Sequence, residues 1–365
     1  KSHWYLVNFK WSNGIWRYCY ASDNPATLTV RDIEGNIKEL TRLEPNEAKT
    51  TLGVDLAPDG NLNQQAKKML ASSRLWADQM RTGHLNRSDS WISFHSTIWR
   101  SLAYPLPAIN LSKKQCEEIM SPAIQQLLVS IGVCRNFPRA LVFAPTKYFG
   151  LGIKHLYTTQ ETERILNLIH HTSKGTETGN LYRASLEHLI LEVGMGECVF
   201  EQPFQDLCFL ATSSLLKSTW QFLHINSIQL HHDIRIQLWR ENDSPIMAEF
   251  YSRGYRDIKL AAINRCRLFL QVYSLSDIVT SDGRGIKAHI SQGTPGPKVN
   301  NFGWPHQGQP STNDWQIWKE GLQHIWTNNR QKGTLGQWYE NHNSNWFYSP
   351  LEQCLFQKSD TVWLK

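Results

Sequence analysis

Leu43-Glu44-Pro45-Asn46-Glu47-Ala48-Lys49-Thr50-Thr51-Leu52-Gly53-Val54-Asp55-Leu56-Ala57-Pro58-Asp59-Gly60 divides this chain. Before it, aromatic and β-branched residues alternate between tight turns. After it, apolar residues recur at helical spacing. Thr50 to Val54 reads as a short strand, with a glycine where another backbone or a ligand can come close. A strand that closes a β unit and hands the chain to a helical body predicts an α+β fold that is mainly α-helical.

Upstream, Trp4–Trp11 and Ile15–Tyr20 flank Ser12-Asn13-Gly14, a strong hairpin signal. Thr27–Arg31 and Asn36–Leu40 form a second pair around Glu34-Gly35-Asn36. Residues 1–54 are therefore expected to form a small antiparallel β unit, packed by Trp4, Trp11 and Trp16. Downstream, Leu62, Ala66, Met69, Leu70, Ser73, Trp76, Ala77 and Met80 mark one helix. Trp91, Phe94, His95, Ile98, Trp99 and Leu102 mark another, stopped at Tyr104-Pro105-Leu106-Pro107. Asn110 or Ser112 caps a third helix, Ser112 and Gln115 having the capping-box spacing; Pro122 kinks or restarts that helix and Gly132 ends it. Residues 55–155 make up this helical region.

From 156 to 290 helical patterns continue at about 157–172, 181–195, 205–223 and 257–272. His231–Arg240 fits helix or strand. In 291–365 a Gly/Pro-rich loop leads to a helix over Trp315–Trp326 and to short strands at Trp346–Tyr348, Cys354–Phe356 and Thr361–Leu364. No apolar run approaches the roughly 18 residues of a membrane span, which predicts a soluble chain with no membrane partner. The seven cysteines are widely spaced, with no C-x-x-C pair, and most lie in apolar patterns. That predicts reduced core thiols in an intracellular protein of the cytoplasm or nucleus.

The net charge of +6 is uneven. Residues 62–160 carry twelve Lys/Arg against four Asp/Glu, or +8, which leaves 26 against 28, or −2, for the remainder. A cationic middle between near-neutral flanks suits a polyanion partner, against the alternative of a merely solvated helix surface.

The motifs in this frame resemble non-LTR retrotransposon reverse transcriptases. The likeness runs through Leu43-Glu44-Pro45-x-Glu47-Ala48, Thr51–Val54 and Ala57–Asn61. It continues through Tyr104-Pro-Leu-Pro-Ala-x-x-Leu-Ser, Phe137-Pro-Arg-Ala and Gly150-Leu-Gly-Ile-Lys-His-Leu-Tyr. Asn264-Arg-Cys-Arg-Leu, Leu275-Ser-Asp-Ile and Asn301-Phe-Gly-Trp-Pro-His-Gln complete it. The resemblance implies the C-terminal portion of such an enzyme, cut from a longer polyprotein: the end of the palm, the thumb and a downstream region. RNA-directed DNA synthesis would belong to the full-length protein. Lys1 would be the palm-end lysine, Leu52-Gly53 the primer grip and Leu62–Leu128 the thumb. Phe149 stands where a glycine is usual in that family, so its turn is expected to differ. The partners implied are RNA, DNA or an RNA–DNA duplex, and the upstream palm and fingers. Mg would be the cofactor of the full-length polymerase only. Its carboxylates, including a Tyr-x-Asp-Asp hairpin, are absent from this sequence, so no catalytic residue and no cofactor is assigned to this chain.

Phosphate contacts need positive charge but little precision. The residues chosen for them are Lys67, Lys68, Arg74, Arg81, Arg87 and Arg100, with Lys113, Lys114, Arg135, Arg139, Lys147 and Lys154 as an extension. Trp76, Trp91 and Trp99 read as core rather than as base platforms. His170-His171 and His231-His232-Asp233 lack a third ligand at suitable spacing, so no metal residue is chosen. Ser281-Asp282-Gly283 lacks the companion carboxylates of a nuclease. The alternative reading is a degenerate retroelement remnant that serves only as a packed scaffold or protein-interaction module.

Overall fold

A computed structural model describes residues 3–332 except 13–14, 197, 237, 239, 241–242, 281–284 and 297–301, and the backbone of three strands beyond them. Of Ile15 and residues 326–332, only the backbone is described. The chain is mainly helical with small sheets at the N-terminus. It forms two compact units, Lys1–Asn167 and Leu168–Lys365. No described helix is long and apolar enough to cross a membrane.

Unit 1 opens with eight short strands. These are β1 (His3–Tyr5), β2 (Phe9–Ser12), β3 (Ile15–Tyr18), β4 (Thr29–Arg31), β5 (Ile37–Glu39), β6 (Thr41–Leu43), β7 (Lys49–Thr51) and β8 (Val54–Leu56). The hairpins β2–β3, β4–β5 and β7–β8 are antiparallel. The fourth pair corrects the expectation of an all-antiparallel unit: β1 runs parallel to β6, with Trp4 opposite Arg42. The first aromatic run is not one strand. It breaks over Leu6–Asn8, and only Phe9–Ser12 enters the hairpin. The packing role given to Trp11 and Trp16 also needs correction, because they meet edge to face across β2–β3 yet are 43% and 58% exposed. Trp4 stays half-buried and donates its indole N–H to the Leu40 carbonyl.

The helical body follows: α1 (Asn63–Thr82), α2 (Arg87–Ser93), a wide π turn (Phe94–Ile98), α3 (Trp99–Ala103), α4 (Lys113–Ser130), α5 (Arg139–Phe143) and α6 (Leu156–Thr172). The π turn joins α2 to α3, with the Trp99 N–H reaching the Phe94 carbonyl. The Ser96 and Thr97 hydroxyls donate to the carbonyls of Ile92 and Ser93, a side-chain competition that goes with an irregular helix turn. Ser112 and Gln115 form the expected capping box, worth about 1 kcal/mol.

Pro122 neither breaks nor restarts α4. Proline removes a helical donor and crowds the preceding turn, and here the next N–H, of Ala123, donates to Ser73 Oγ on α1. Ser73 is fully buried, so this bond stitches the two helices at the irregular point. Met69, Trp76 and Met80 of α1 and Ile119, Ile124 and Leu127 of α4 belong to one core.

Unit 2 contains α7 (Glu177–Val193), α8 (Phe204–Leu207), α9 (Leu215–Ile225), α10 (Ile246–Ser252), α11 (Asp257–Leu270), α12 (Leu275–Ile278), α13 (Ala288–Gln292) and α14 (Thr312–Lys332). The strands β9 (Trp346–Ser349), β10 (Cys354–Ser359) and β11 (Val362–Leu364) form an antiparallel sheet. The helix expected over 205–223 is interrupted, because Ser214 caps a new start at α9. The described residues of 231–240 form neither helix nor strand. The periodicity of α11 points Leu260, Ala261, Asn264, Cys266, Leu268 and Phe269 inward; Ala261 and Phe269 are only half-buried, while Ala262, Ile263, Arg267 and Leu270 are buried as well. Wrapping α11 on more than one side makes an amphipathic pattern a poor guide to it.

Candidate nucleic-acid interface

The β7–β8 hairpin is the hub of unit 1. Thr51 pairs with Val54, so two residues make the turn. Leu52 has φ +49° and Gly53 has φ +86°. Two left-handed residues are the primed turn that suits strand twist. Glycine fills the second position without strain, while leucine at the first does not relieve it. Leu52 is nonetheless 86% exposed.

Two side chains from the helices hold this turn. Tyr104 Oη, just after α3, donates to the Leu52 carbonyl at 2.7 Å. Lys68 Nζ of α1 donates to the Gly53 carbonyl at 3.0 Å and to Asp55 Oδ1 at 3.2 Å. A Cβ on Gly53 would sit 3.3 Å from the Tyr104 ring. Below the turn, Val54 joins the helical core. The Asp55 N–H donates to Gln65 Oε1 at 2.8 Å, and Thr50 Oγ1 donates to the Asp55 carboxylate. Burial works against the charge on Asp55, but the Thr50 hydroxyl and the Lys68 ammonium outweigh it and hold its pKa below the ordinary value.

The basic residues divide into groups. Lys67, Arg74 and Arg81 are all exposed on α1. A seven-residue spacing returns to nearly the same helix face, so they form one stripe about 21 Å long. Arg81 is paired with Asp78 at 2.8 Å, a solvated contact. Lys68 turns instead to the hairpin. Arg87 lies against the C-terminal turn of α4: a Cβ on Gly132 would fall 2.7 Å from its guanidinium. There it complements the negative end of the helix. Arg100 is exposed on α3. Lys113 and Lys114 stand 4.0 Å from Glu117 and Glu118, and Arg135 bonds Gln125. Lys1 and Ser281–Gly283 lie outside the described residues.

Beside the hairpin, a cavity of about 600 Å³ is lined by Lys49, Lys67, Glu47, Asn46, Asn61, Asn63 and Gln64, among others. It opens at the first turn of α1, which holds no acidic residue. Two ammonium groups, several amides and a positive helix end outweigh the single Glu47 carboxylate there, a balance that favours an anion.

Trp76 and Trp99 are buried at 7% and 8% exposure, and Trp91 is half-buried against His95. Trp76 donates to Ser93 Oγ. These rings hold the helices together and do not form a base platform. Cys19, Cys116 and Cys266 are buried free thiols, whereas Cys134 is exposed. Among the described residues, no group of three or more His, Cys, Asp or Glu side chains could hold a metal ion.

Sequence reasoning missed Tyr104 and Asp55 as the groups that fix the turn. Tyr104 lies 52 residues from Leu52, and no local pattern couples them. No family model, no curated protein and no solved structure matches the chain. The resemblance to retrotransposon reverse transcriptases is therefore carried by its motifs alone.

Proposed function

We propose that unit 1 grips a template–primer duplex, as the primer-grip turn and thumb of an RNA-directed DNA polymerase of the non-LTR retrotransposon type. One observation carries this reading. The exposed Leu52-Gly53 turn is fastened by Tyr104 and Lys68 to the helices that bear the basic stripe. A strand end resting on the turn would then be held in register with phosphates along Lys67 and Arg74. The neighbouring cavity, with Lys49 and Lys67, suits one further phosphate.

In this reading the palm and fingers of the same polyprotein supply the carboxylates and the Mg²⁺ of catalysis. In the same reading, this chain's share is binding and positioning.

The test is binding of a short RNA–DNA duplex across a salt series. Log affinity should fall linearly with log salt, by about 0.9 per phosphate contacted. A flat plot, or no binding at about 50 mM salt, would remove the nucleic-acid reading and leave the scaffold alternative.

A further inference from the structure

A second strained turn in unit 1 lies outside this grip. After α5 the chain makes a short helical turn over Thr146–Tyr148 and then runs back along α5. Four backbone bonds fasten the return: Gly150 to Pro145, Leu151 to Leu141, Gly152 to Ala144 and Ile153 to Val142. Val142 and Ile153 are in the core. A Cβ on Gly150 would lie 2.0 Å from the Ala144 carbonyl oxygen, so the two strands of the turn touch directly.

On this rigid base stand two aromatic rings. Phe149 has φ +61° and is 96% exposed, and Tyr148 is 63% exposed. Lys147 Nζ sits 4.8 Å from the centre of the Tyr148 ring. A left-handed backbone favours glycine, and a large apolar side chain there is strained as well as solvated. Among the described residues, no hydrogen bond or ring contact engages the Phe149 side chain. The surrounding stretch is also free of acid: residues 121–160 contain no Asp or Glu, and they carry Arg135, Arg139, Lys147 and Lys154.

We propose that Tyr148 and Phe149 stack on the bases of an unpaired nucleic-acid strand, with Lys147 on an adjoining phosphate. Exposed aromatic rings beside a cation are the means by which single strands are held without sequence preference. A duplex hides its base faces, so this site is selective for single strands. The proposal extends the nucleic-acid reading above, and a template running past the duplex would supply such a strand.

The experiment uses the full chain with two labelled probes, a short single-stranded RNA and a blunt RNA–DNA duplex. Phe149→Gly removes the ring at a position where glycine fits the backbone, so the thermal midpoint should hold or rise. Single-strand affinity should fall by about tenfold, while duplex affinity changes by less than about twofold. Phe149→Trp should keep single-strand affinity. Unchanged single-strand affinity in Phe149→Gly would overturn the stacking site and leave the duplex grip standing. Equal losses on both probes would overturn it too, as would parent-chain binding to neutral phosphatidylcholine vesicles that Phe149→Gly abolishes. Salt-dependent duplex binding by the parent tests the earlier reading separately.

Discussion

Residues 63–103 and residues 243–287 place their key charged groups in opposite ways. In the first, Lys67, Arg74, Arg81 and Arg100 stand on helix surfaces. In the second, charge goes inside. Arg267 is fully buried and donates to the carbonyls of Leu191 and Glu192 and to Asn264 Oδ1. It closes the C-terminal turn of α7, where Gly194 has φ +73° and a Cβ would fall 2.8 Å from the Arg267 guanidinium. Burial lowers the Arg267 pKa to about 10, which still leaves it cationic at neutral pH. Asp243 accepts from Ser276, and Asp277 from the N–H groups of Tyr273 and Ser274. Burial raises both carboxyl pKa values. Exposed cations contribute little to stability and much to long-range attraction. Buried ions contribute structure, and only while every partner is present. The functional reading therefore attaches to the first region.

The largest effect is expected from Arg267→Met. It leaves the Leu191 carbonyl and Asn264 Oδ1 without their buried donor and the Glu192 carbonyl with Asn264 alone, a loss on the order of 3 kcal/mol. Urea unfolding followed on unit 2 measures it, and a loss below about 1 kcal/mol would erase the contrast between the regions. Duplex binding by the folded protein should be unchanged. Next comes Gly53→Ala, which places a Cβ at positive φ and against Tyr104. About 1–2 kcal/mol of local stability and roughly tenfold in duplex affinity should go together. Stability lost at full affinity would detach the turn from binding.

Lys67→Glu with Arg74→Glu is expected to do the reverse. Stability should stay within about 0.5 kcal/mol, while the salt slope drops by about 2. An unchanged slope would return the stripe to ordinary surface.

The smallest effect is in pH dependence, and its sign differs between the regions. Asp55 has a lowered pKa in the fold, so its contribution is present above the ordinary aspartate value of about 4 and is lost as pH falls below it. Asp243 and Asp277 have raised values, so theirs is present below about 4 and is lost as pH rises through the raised pKa values. Hydrogen exchange at 50–56 and at 273–278 across that range reads both. Equal signs would contradict the assignment of the hairpin to a paired carboxylate.

Much of the fold was legible because it is local. The Ser112–Gln115 capping box lies within one turn, and the α1 seam repeats along one face. The hairpin pairs β2–β3 and β4–β5 announce themselves through their turns. What escaped depends on distance. Tyr104 and Leu52 are 52 residues apart, and Arg267 and Leu191 are 76. The parallel β1–β6 pair joins residues separated by two hairpins. The site was half legible: composition located the cations, but only the folded chain separates the Lys67–Arg74–Arg81 stripe from Lys68 and Arg87, which are committed to the hairpin and to the end of α4.

The π turn at Phe94–Ile98 has a consequence of phase. A helix carrying one residue more than its regular turns require delivers everything after it rotated by about 100°. Tyr104, which donates to the Leu52 carbonyl, lies downstream of that rotation. Removing the exposed Ser96 would make the helix more regular, yet it would turn Ile98, Trp99 and Leu102 away from the core positions they now fill and swing Tyr104 off the turn. In this molecule a one-residue deletion far from Leu52 in sequence is expected to unlatch the hairpin more completely than most substitutions within it.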